Sequence, residues 1–471
     1  VPLPRRATAV AAGVTLAAAT LLTPAPATAF PLPDGAVTCR DDGKPVRHLV
    51  LFDPGTTEQE ARLETTLACG TTLVYHPSIA VAVVTSEDDR FVNRLGSDRA
   101  FSASAAVGRL ADREPLPTGG GVVPAVDRRG EQWNLDMVGA APEASDGAGV
   151  LVGVLDSGVD ARHPDLAAAV DPAASAGCLT GVADPAPEAW APSTSAHGTQ
   201  VAGLIAAAAD GRGVTGVAPG VRLASVRVVD DRGMVLPEAV VCGLLWAADH
   251  GVRVANNSYF VDPWQLTCDR GAEHVVFEAV RRAVEHATGA GVLTVAAASN
   301  GGIDLAAPSG EAADPTGGRR ALGSGCEVLP AGLRGVLSVT AVGQDRLKAG
   351  YSSYGLGVVD VTAPGGEQRP GGSGCVLSTV PGGYGSACGT SMAAPHAAGV
   401  AALMAARHPK ATPLELTRLI TRSADPVPCP ADYDLDGSGA QDAYCSGYAR
   451  YNSFHGHGLV NARAADPTSP R

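Results

Sequence analysis

The sequence predicts an α/β protein, with a mostly parallel sheet covered by helices on both faces and a smaller α/β unit in front of it. Three observations lead there. From Gly149 onward, apolar runs recur without polar alternation: GVLVGVL (149–155), VRLASVRVV (221–229), VRVANNS (252–258), VLTVAAAS (292–299) and VLSVTAVG (336–343). Such runs mark strands buried on both faces, as in a parallel sheet. Between them, VAGLIAAAA (201–209), PEAVVCGLLWAADHG (237–251) and HVVFEAVRRAVEHATGAG (274–291) carry helical spacing. The third observation is a different order nearer the amino end. VRHLVLF (46–52) reads as a strand, TEQEARLETTLA (57–68) as a helix and TTLVYHPSIAVAVVT (71–85) as a hairpin, a ferredoxin-like arrangement. The stretch EPLPTGGGVVPAVDRRG (114–130) breaks both patterns and reads as an exposed linker.

A chain of 471 residues, 45% hydrophobic and 18% charged, can bury a large core but is long for one domain, so two folded units are expected. A net charge of −13 with no basic block argues against nucleic acid as partner. Residues 1–29 have a basic start at Arg5 and Arg6, an apolar run and the small-residue ending Ala27-Thr28-Ala29, the pattern of a secretory signal peptide. The run breaks at Pro24 and the end, NARAADPTSPR, has no apolar tail, so no membrane anchor is expected. The ten cysteines fit an oxidising exterior. Cys39 and Cys69 precede the linker and eight follow it, both even sets, with local bridges Cys242–Cys268 and Cys429–Cys445 expected. No paired close spacing of the zinc type occurs.

The stretch GTSMAAPHAAGVAALMAA (389–406) places one hydroxyl, Ser391, where a small-residue turn enters a long apolar helix. A serine is a weak nucleophile and needs a neutral imidazole to take its proton, with a carboxylate to orient that imidazole. His396 is a poor base, because a five-residue step turns its side chain about 140° away on a helix. Functional groups in parallel sheets gather beyond the carboxyl ends of the strands. Asp156, in LDSGVD, stands at one such end, and His197, in AHGTQVAGLIAA, stands where the next long helix begins. Asn300 follows VLTVAAAS and can offer an amide to an oxyanion, with the backbone N–H of Ser391 as second donor. Ser391 also sits at a helix amino end, which favours developing negative charge.

In chain order Asp, His, Ser, four segments resemble the subtilisin-like serine peptidases: VGVLDSGVDARHPDL, HGTQVAGLIAA, VAAASNGG and GTSMAAPHAAG. YSSYGLGVVDVTAPGG (351–366) and HGHGLVNARAA (455–465) are also similar to family segments. The α/β-hydrolase pattern Gly-x-Ser-x-Gly is absent, since Ser391 lies in Thr-Ser-Met and comes last. The resemblance implies a subtilisin-like three-layer fold and peptide-bond hydrolysis through Asp156, His197, Ser391 and Asn300. It also implies that residues 30–120 are a propeptide domain with its linker, acting as an intramolecular inhibitor, and that residues 121–471 are the peptidase. The expected partners are protein or peptide substrates, the expected state is a monomer, and the expected location is extracellular.

The chain departs from the family pattern in places. Gln200 stands where the family usually has a second histidine, and Ser299 replaces the usual glycine before the oxyanion asparagine. At the substrate-facing strand, NNSYFVDPW (256–264) carries bulky Tyr259 and Phe260 where small residues are usual. Substrate is expected to bind as an added strand there, near Ser258 and Ser299. The resemblance implies no required cofactor, with structural calcium left open. Asp165 and Asp210 match positions of one family calcium site, but Arg212 brings a cation into its loop. DYDLDGSG (432–439) is similar to the start of an EF-hand loop, yet Ala443 stands in place of the closing glutamate, so a solvated acidic turn is expected.

Overall fold

The computed structural model describes residues 38–41, 43–107, 126–141, 147–315, 317–369 and 374–465. The expected signal peptide, 1–29, and most of the expected linker, 114–130, lie outside the described residues.

The amino-terminal unit runs β1 (Val46–Leu51), α1 (Glu58–Leu67), β2 (Thr71–His76), β3 (Val81–Ser86), α2 (Phe91–Leu95) and β4 (Ala100–Phe101), followed by α3 (Ala103–Val107). Its antiparallel sheet has the order β2-β3-β1-β4, the ferredoxin-like arrangement. The short β4 adds a strand to the expected hairpin and first strand. Thr57 and Glu60 form a reciprocal capping box that starts α1 where the sequence reading placed it.

The larger unit contains α4 (Trp133–Met137), β5 (Leu151–Asp156), β6 (Ala176–Gly177), α5 (Pro187–Trp190), α6 (His197–Ala206), β7 (Arg222–Arg227), α7 (Pro237–Asp249) and β8 (Val254–Asn257). It continues with β9 (Thr267–Cys268), α8 (Glu273–Gly289), β10 (Leu293–Ala297), β11 (Glu311–Ala313), β12 (Arg319–Ala321), β13 (Cys326–Glu327), β14 (Leu337–Val342) and β15 (Val361–Pro364). The hairpin β16 (Val376–Val380) and β17 (Gly383–Ala387) then leads into α9 (Thr390–Arg407) and α10 (Pro413–Ser423). Seven strands form the central sheet in the order β15-β14-β10-β8-β5-β7-β6, and every pairing is parallel.

Alternation along each strand divides the core in two. Leu151 and Leu155 of β5 pack with Val240 and Leu244 of α7 and with Val276 and Val280 of α8. Val152 and Val154 face the other way, onto Val201 and Ile205 of α6 and Ala397 and Val400 of α9. A three-layer arrangement follows, with α7 and α8 on one face, α6 and α9 on the other, and the sheet between.

The ferredoxin-like sheet extends the first of these cores. Leu49, Leu51, Val81 and Val83 belong to the same apolar cluster as α7 and α8, while Val50, Phe52, Ala82 and Val84 face Ala61 of α1 and Phe91 of α2. A sheet buried on both faces explains the unbroken apolar run of β3. Arg282 on α8 reinforces the join by donating to the carbonyls of Phe52, Ile79 and Ala80 at 2.9, 3.1 and 3.3 Å.

All ten cysteines pair. Cys429–Cys445 is as expected, but the expected Cys242–Cys268 bridge is not formed. Cys242 on α7 reaches Cys178, just beyond β6, and Cys268 of β9 reaches Cys326 of β13 across an antiparallel pair. The edge strand β6 brings Cys178 to α7, and the separate β9–β13 pair joins Cys268 to Cys326, across 64 and 58 positions, so closeness in sequence was the wrong guide. Cys39–Cys69 closes the smaller unit, and Cys375–Cys388 staples the hairpin ahead of α9. No helix among the described residues is long and apolar enough to cross a membrane.

Candidate active site

Asp156 is the last residue of β5 and His197 the first of α6, so both stand at the carboxyl end of the sheet. Asp156 is fully buried, and its Oδ1 accepts a 2.7 Å hydrogen bond from His197 Nδ1. The Ser157 backbone N–H also donates to Oδ1, at 2.7 Å. Only a glycine fits next to the histidine: a Cβ on Gly198 would lie 2.4 Å from the Gly158 carbonyl oxygen and 3.2 Å from Asp156 Cβ. Burial by itself would lower the His197 pKa, but the charge and hydrogen bond of Asp156 outweigh it and hold the imidazole above its ordinary value.

Ser391 is the second residue of α9, on the amino end of a helix whose Met392, Ala393 and Ala397 are buried. Its hydroxyl donates to the Ser258 carbonyl at 3.0 Å, and the Ser258 hydroxyl donates to the Ser391 carbonyl at 3.0 Å. Asn256 Nδ2 holds the Ser258 hydroxyl at 2.9 Å. Since β8 pairs beside β5 with Leu155 opposite Asn257, this clasp brings Ser391 to the strand end adjoining Asp156. His396 is fully buried, donating from Nδ1 to Met392 O at 2.7 Å and accepting from Asn134 Nδ2 at 2.8 Å. Burial pulls its pKa down to about 4, and it is a packed helix residue.

Asn300 lies three residues beyond β10. Its Oδ1 accepts from the Thr390 backbone N–H at 2.9 Å and the Thr390 hydroxyl at 2.7 Å. That fixes the amide flip and leaves the Nδ2 N–H groups on the side of Gly389, where an added Cβ would come within 3.3 Å of Nδ2. The Met392 N–H turns back to the Gly389 carbonyl at 3.0 Å, and the Ser391 N–H falls between it and the Thr390 donor in the first turn. The sequence assigns Thr390 no role at this amide, although a hydroxyl beside Ser391 is the kind of group that can fix one.

Ser299 is buried, with its hydroxyl 2.9 Å from that of Ser353, and it adopts φ +81. A glycine at this position would take that conformation freely, whereas a serine holds it under constraint. Tyr259 donates to Asn257 Oδ1 at 2.6 Å, and burial followed by the charge of Asp156 raises its pKa well above the ordinary phenol.

The Asp165 carboxylate is engaged by hydrogen bonds at both oxygens. Its Oδ2 accepts from the Val214 N–H and its Oδ1 from the Tyr384 hydroxyl, each at 3.0 Å, while Asp210 accepts from the Arg212 N–H. Around the turn 432–439, carboxylate oxygens of Asp434 and Asp436 and of the following Asp442 lie within 4.8 Å of one another. Asp434 and Asp442 already accept backbone N–H groups from Ser438, Gly439 and Leu435.

Residues 147–458 match the Subtilase family. Fervidolysin of Fervidobacterium pennivorans is 32% identical over 71% of this chain and 43% of its own length. Alkaline elastase YaB of Bacillus sp. (strain YaB) is 34% identical over 62% of this chain and 64% of its own, and Subtilisin Savinase of Lederbergia lenta 32% identical over 71% and 97%. The chain thus spans less than half of fervidolysin and just under two thirds of the elastase. Among solved structures, that of fervidolysin, described as a keratinolytic enzyme related to subtilisin, superposes with a TM-score of 0.61 at 25% identity, covering 90% of this chain and 62% of that one. The epidermin leader peptide processing serine protease of Staphylococcus aureus superposes at 0.65 over 91% and 100%, and at 19% identity it speaks to the fold alone.

Proposed function

The chain belongs to the subtilase family, and from that premise we propose that it is a secreted serine endopeptidase whose catalytic residues are Asp156, His197, Ser391 and Asn300. The observation that carries the reading is the 2.7 Å bond from His197 Nδ1 to a buried Asp156 at the strand end beside Ser391. With Nδ1–H committed to the carboxylate, the neutral imidazole keeps its lone pair on Nε2.

For reaction, the Ser391 hydroxyl leaves the Ser258 carbonyl and turns to His197 Nε2. As its oxygen bonds to the substrate carbonyl carbon, the proton passes to Nε2 and Asp156 stabilises the imidazolium. Asn300 Nδ2 and the Ser391 N–H receive the tetrahedral oxyanion, the helix amino end adding a favourable field. The C–N bond then breaks, the amine leaves with the proton from Nε2, and water hydrolyses the remaining ester by the same steps. A peptide lying as an added strand beside Ser258 supplies the carbonyl, with Ser299 on the facing loop.

The ferredoxin-like unit acts as a propeptide and intramolecular inhibitor, its sheet seated on α7 and α8, and residues 1–29 direct export. The bound partners are this unit and protein or peptide substrates, and the enzyme works as a monomer without a cofactor. Casein digestion by the wild type and Ser391→Ala tests the reading: activity belongs to the wild type only, and digestion by the variant would refute it.

A further inference from the structure

Lys348 is 1% exposed. Taking an ammonium out of water is expensive unless its N–H groups and charge are answered. Here Nζ donates to the carbonyl oxygens of Ala349 at 3.0 Å and Ser352 at 2.8 Å. Three rings enclose it, with the centroids of Tyr354 and Tyr433 at 5.1 Å and that of Phe454 at 5.3 Å, all within cation–π range. The Tyr433 hydroxyl donates to the carbonyl of Lys348 itself at 2.8 Å. Burial still draws the ammonium down to about 7, against the opposing charges of Glu367 and Asp442, with Arg369 adding to the fall.

The turn that this cation ties together supports the loop carrying Asn300. On one side of Asn300, the Ser353 N–H donates to the Ser299 carbonyl at 3.0 Å and the two hydroxyls meet at 2.9 Å. On the other, the Gly302 N–H donates to Tyr351 O at 2.8 Å, the Tyr354 N–H to Ile303 O at 3.0 Å, and the Ile303 N–H to the Ser353 hydroxyl at 3.2 Å. Ser299 needs such support, because a residue with a Cβ stays at φ +81 only when its surroundings over-determine it.

We propose that Lys348 is a positioning residue for peptide hydrolysis: by holding the Ala349 and Ser352 carbonyls inside an aromatic cage, it fixes the turn that keeps Ser299 left-handed and aims the Asn300 amide. The proposal rests on the reading of Asn300 as an oxyanion donor. Methionine at 348 keeps the length of the side chain but removes the Nζ donor from both carbonyls, leaving that of Ala349 with the Ser352 N–H at 2.9 Å.

The test compares Lys348→Met, Asn300→Ala and the double variant in the processed enzyme, with active sites counted by fluorophosphonate titration. Removing an oxyanion donor lowers kcat by about 10²–10³, and Lys348→Met is expected to lower it by about tenfold with KM within about twofold. In the double variant the losses do not multiply, because both act through one amide. Wild-type kcat in Lys348→Met, or losses that multiply, would overturn the proposal alone. Unchanged kcat in Asn300→Ala would remove the oxyanion reading and the proposal together. Should Lys348→Met fail to fold, Tyr433→Leu opens one wall of the cage and is read in the same way. Loss of the folded enzyme in both variants would also overturn the proposal, since Lys348 would then serve folding rather than position.

Discussion

Ser391 and Ser258 exchange two hydrogen bonds, hydroxyl to carbonyl in each direction, at 3.0 Å both ways. The first of these occupies the Ser391 hydroxyl, and the second pins the first turn of α9 to the end of β8. Ser258→Ala keeps the first and removes the second, and it leaves the buried Asn256 Nδ2 without its hydroxyl acceptor. A stability loss of about 1–3 kcal/mol in urea unfolding is expected. A change below about 0.3 kcal/mol would show that the clasp contributes nothing to the fold.

The pH dependence of catalysis follows from the direction of the His197 shift. Only the neutral imidazole can accept the serine proton, and Asp156 holds its pKa above the ordinary value. Activity therefore rises with pH through an inflection above about 6.5. Asp156→Asn removes the charge that raises it, so the inflection moves down while kcat falls by about 10⁴. A kcat/KM profile of the variant with an unmoved inflection would contradict this coupling.

At Asp165, hydrogen bonds from Tyr384 and Val214 hold the carboxylate. A hydrogen bond to a charged group contributes about 1.5–3 kcal/mol, so Tyr384→Phe is expected to lose that much in calorimetric unfolding. Added calcium should not restore the loss. Recovery by the metal would mean that the carboxylate serves a cation after all.

Arg282 is the expected anchor of the ferredoxin-like unit, since its truncation leaves the Phe52, Ile79 and Ala80 carbonyls without that donor. Arg282→Ala in the peptidase should weaken inhibition by a separately produced 30–120 fragment by about 2 kcal/mol or more, roughly 30-fold in Ki. An unchanged Ki would place the binding energy elsewhere in the interface.

The central sheet was legible because each strand is buried on both faces, and the run GVLVGVL ends within a residue of the observed end of β5 at Asp156. The helix opens at His197 as expected, but it ends at Ala206 and not at 209, because a run of alanines gives no apolar period from which to read its end. β4 escaped notice, since two residues give no alternation to read. The cysteine pairing depends on contacts made only in the fold, with edge strand β6 bringing Cys178 to Cys242 on α7 and the β9–β13 ladder bringing Cys268 to Cys326. The roles of Thr390, Tyr384 and Lys348 were equally out of reach. Each depends on a partner from a distant segment, and nothing in the local spacing announces it.

The central claim is that Ser391 is the nucleophile activated by His197. A fluorophosphonate adduct mapped by peptide mass spectrometry tests it most directly. The account predicts one adduct, on the peptide containing Ser391, with labelling strongly slowed in His197→Ala. An adduct on another residue, or wild-type labelling rates without the imidazole, would contradict it.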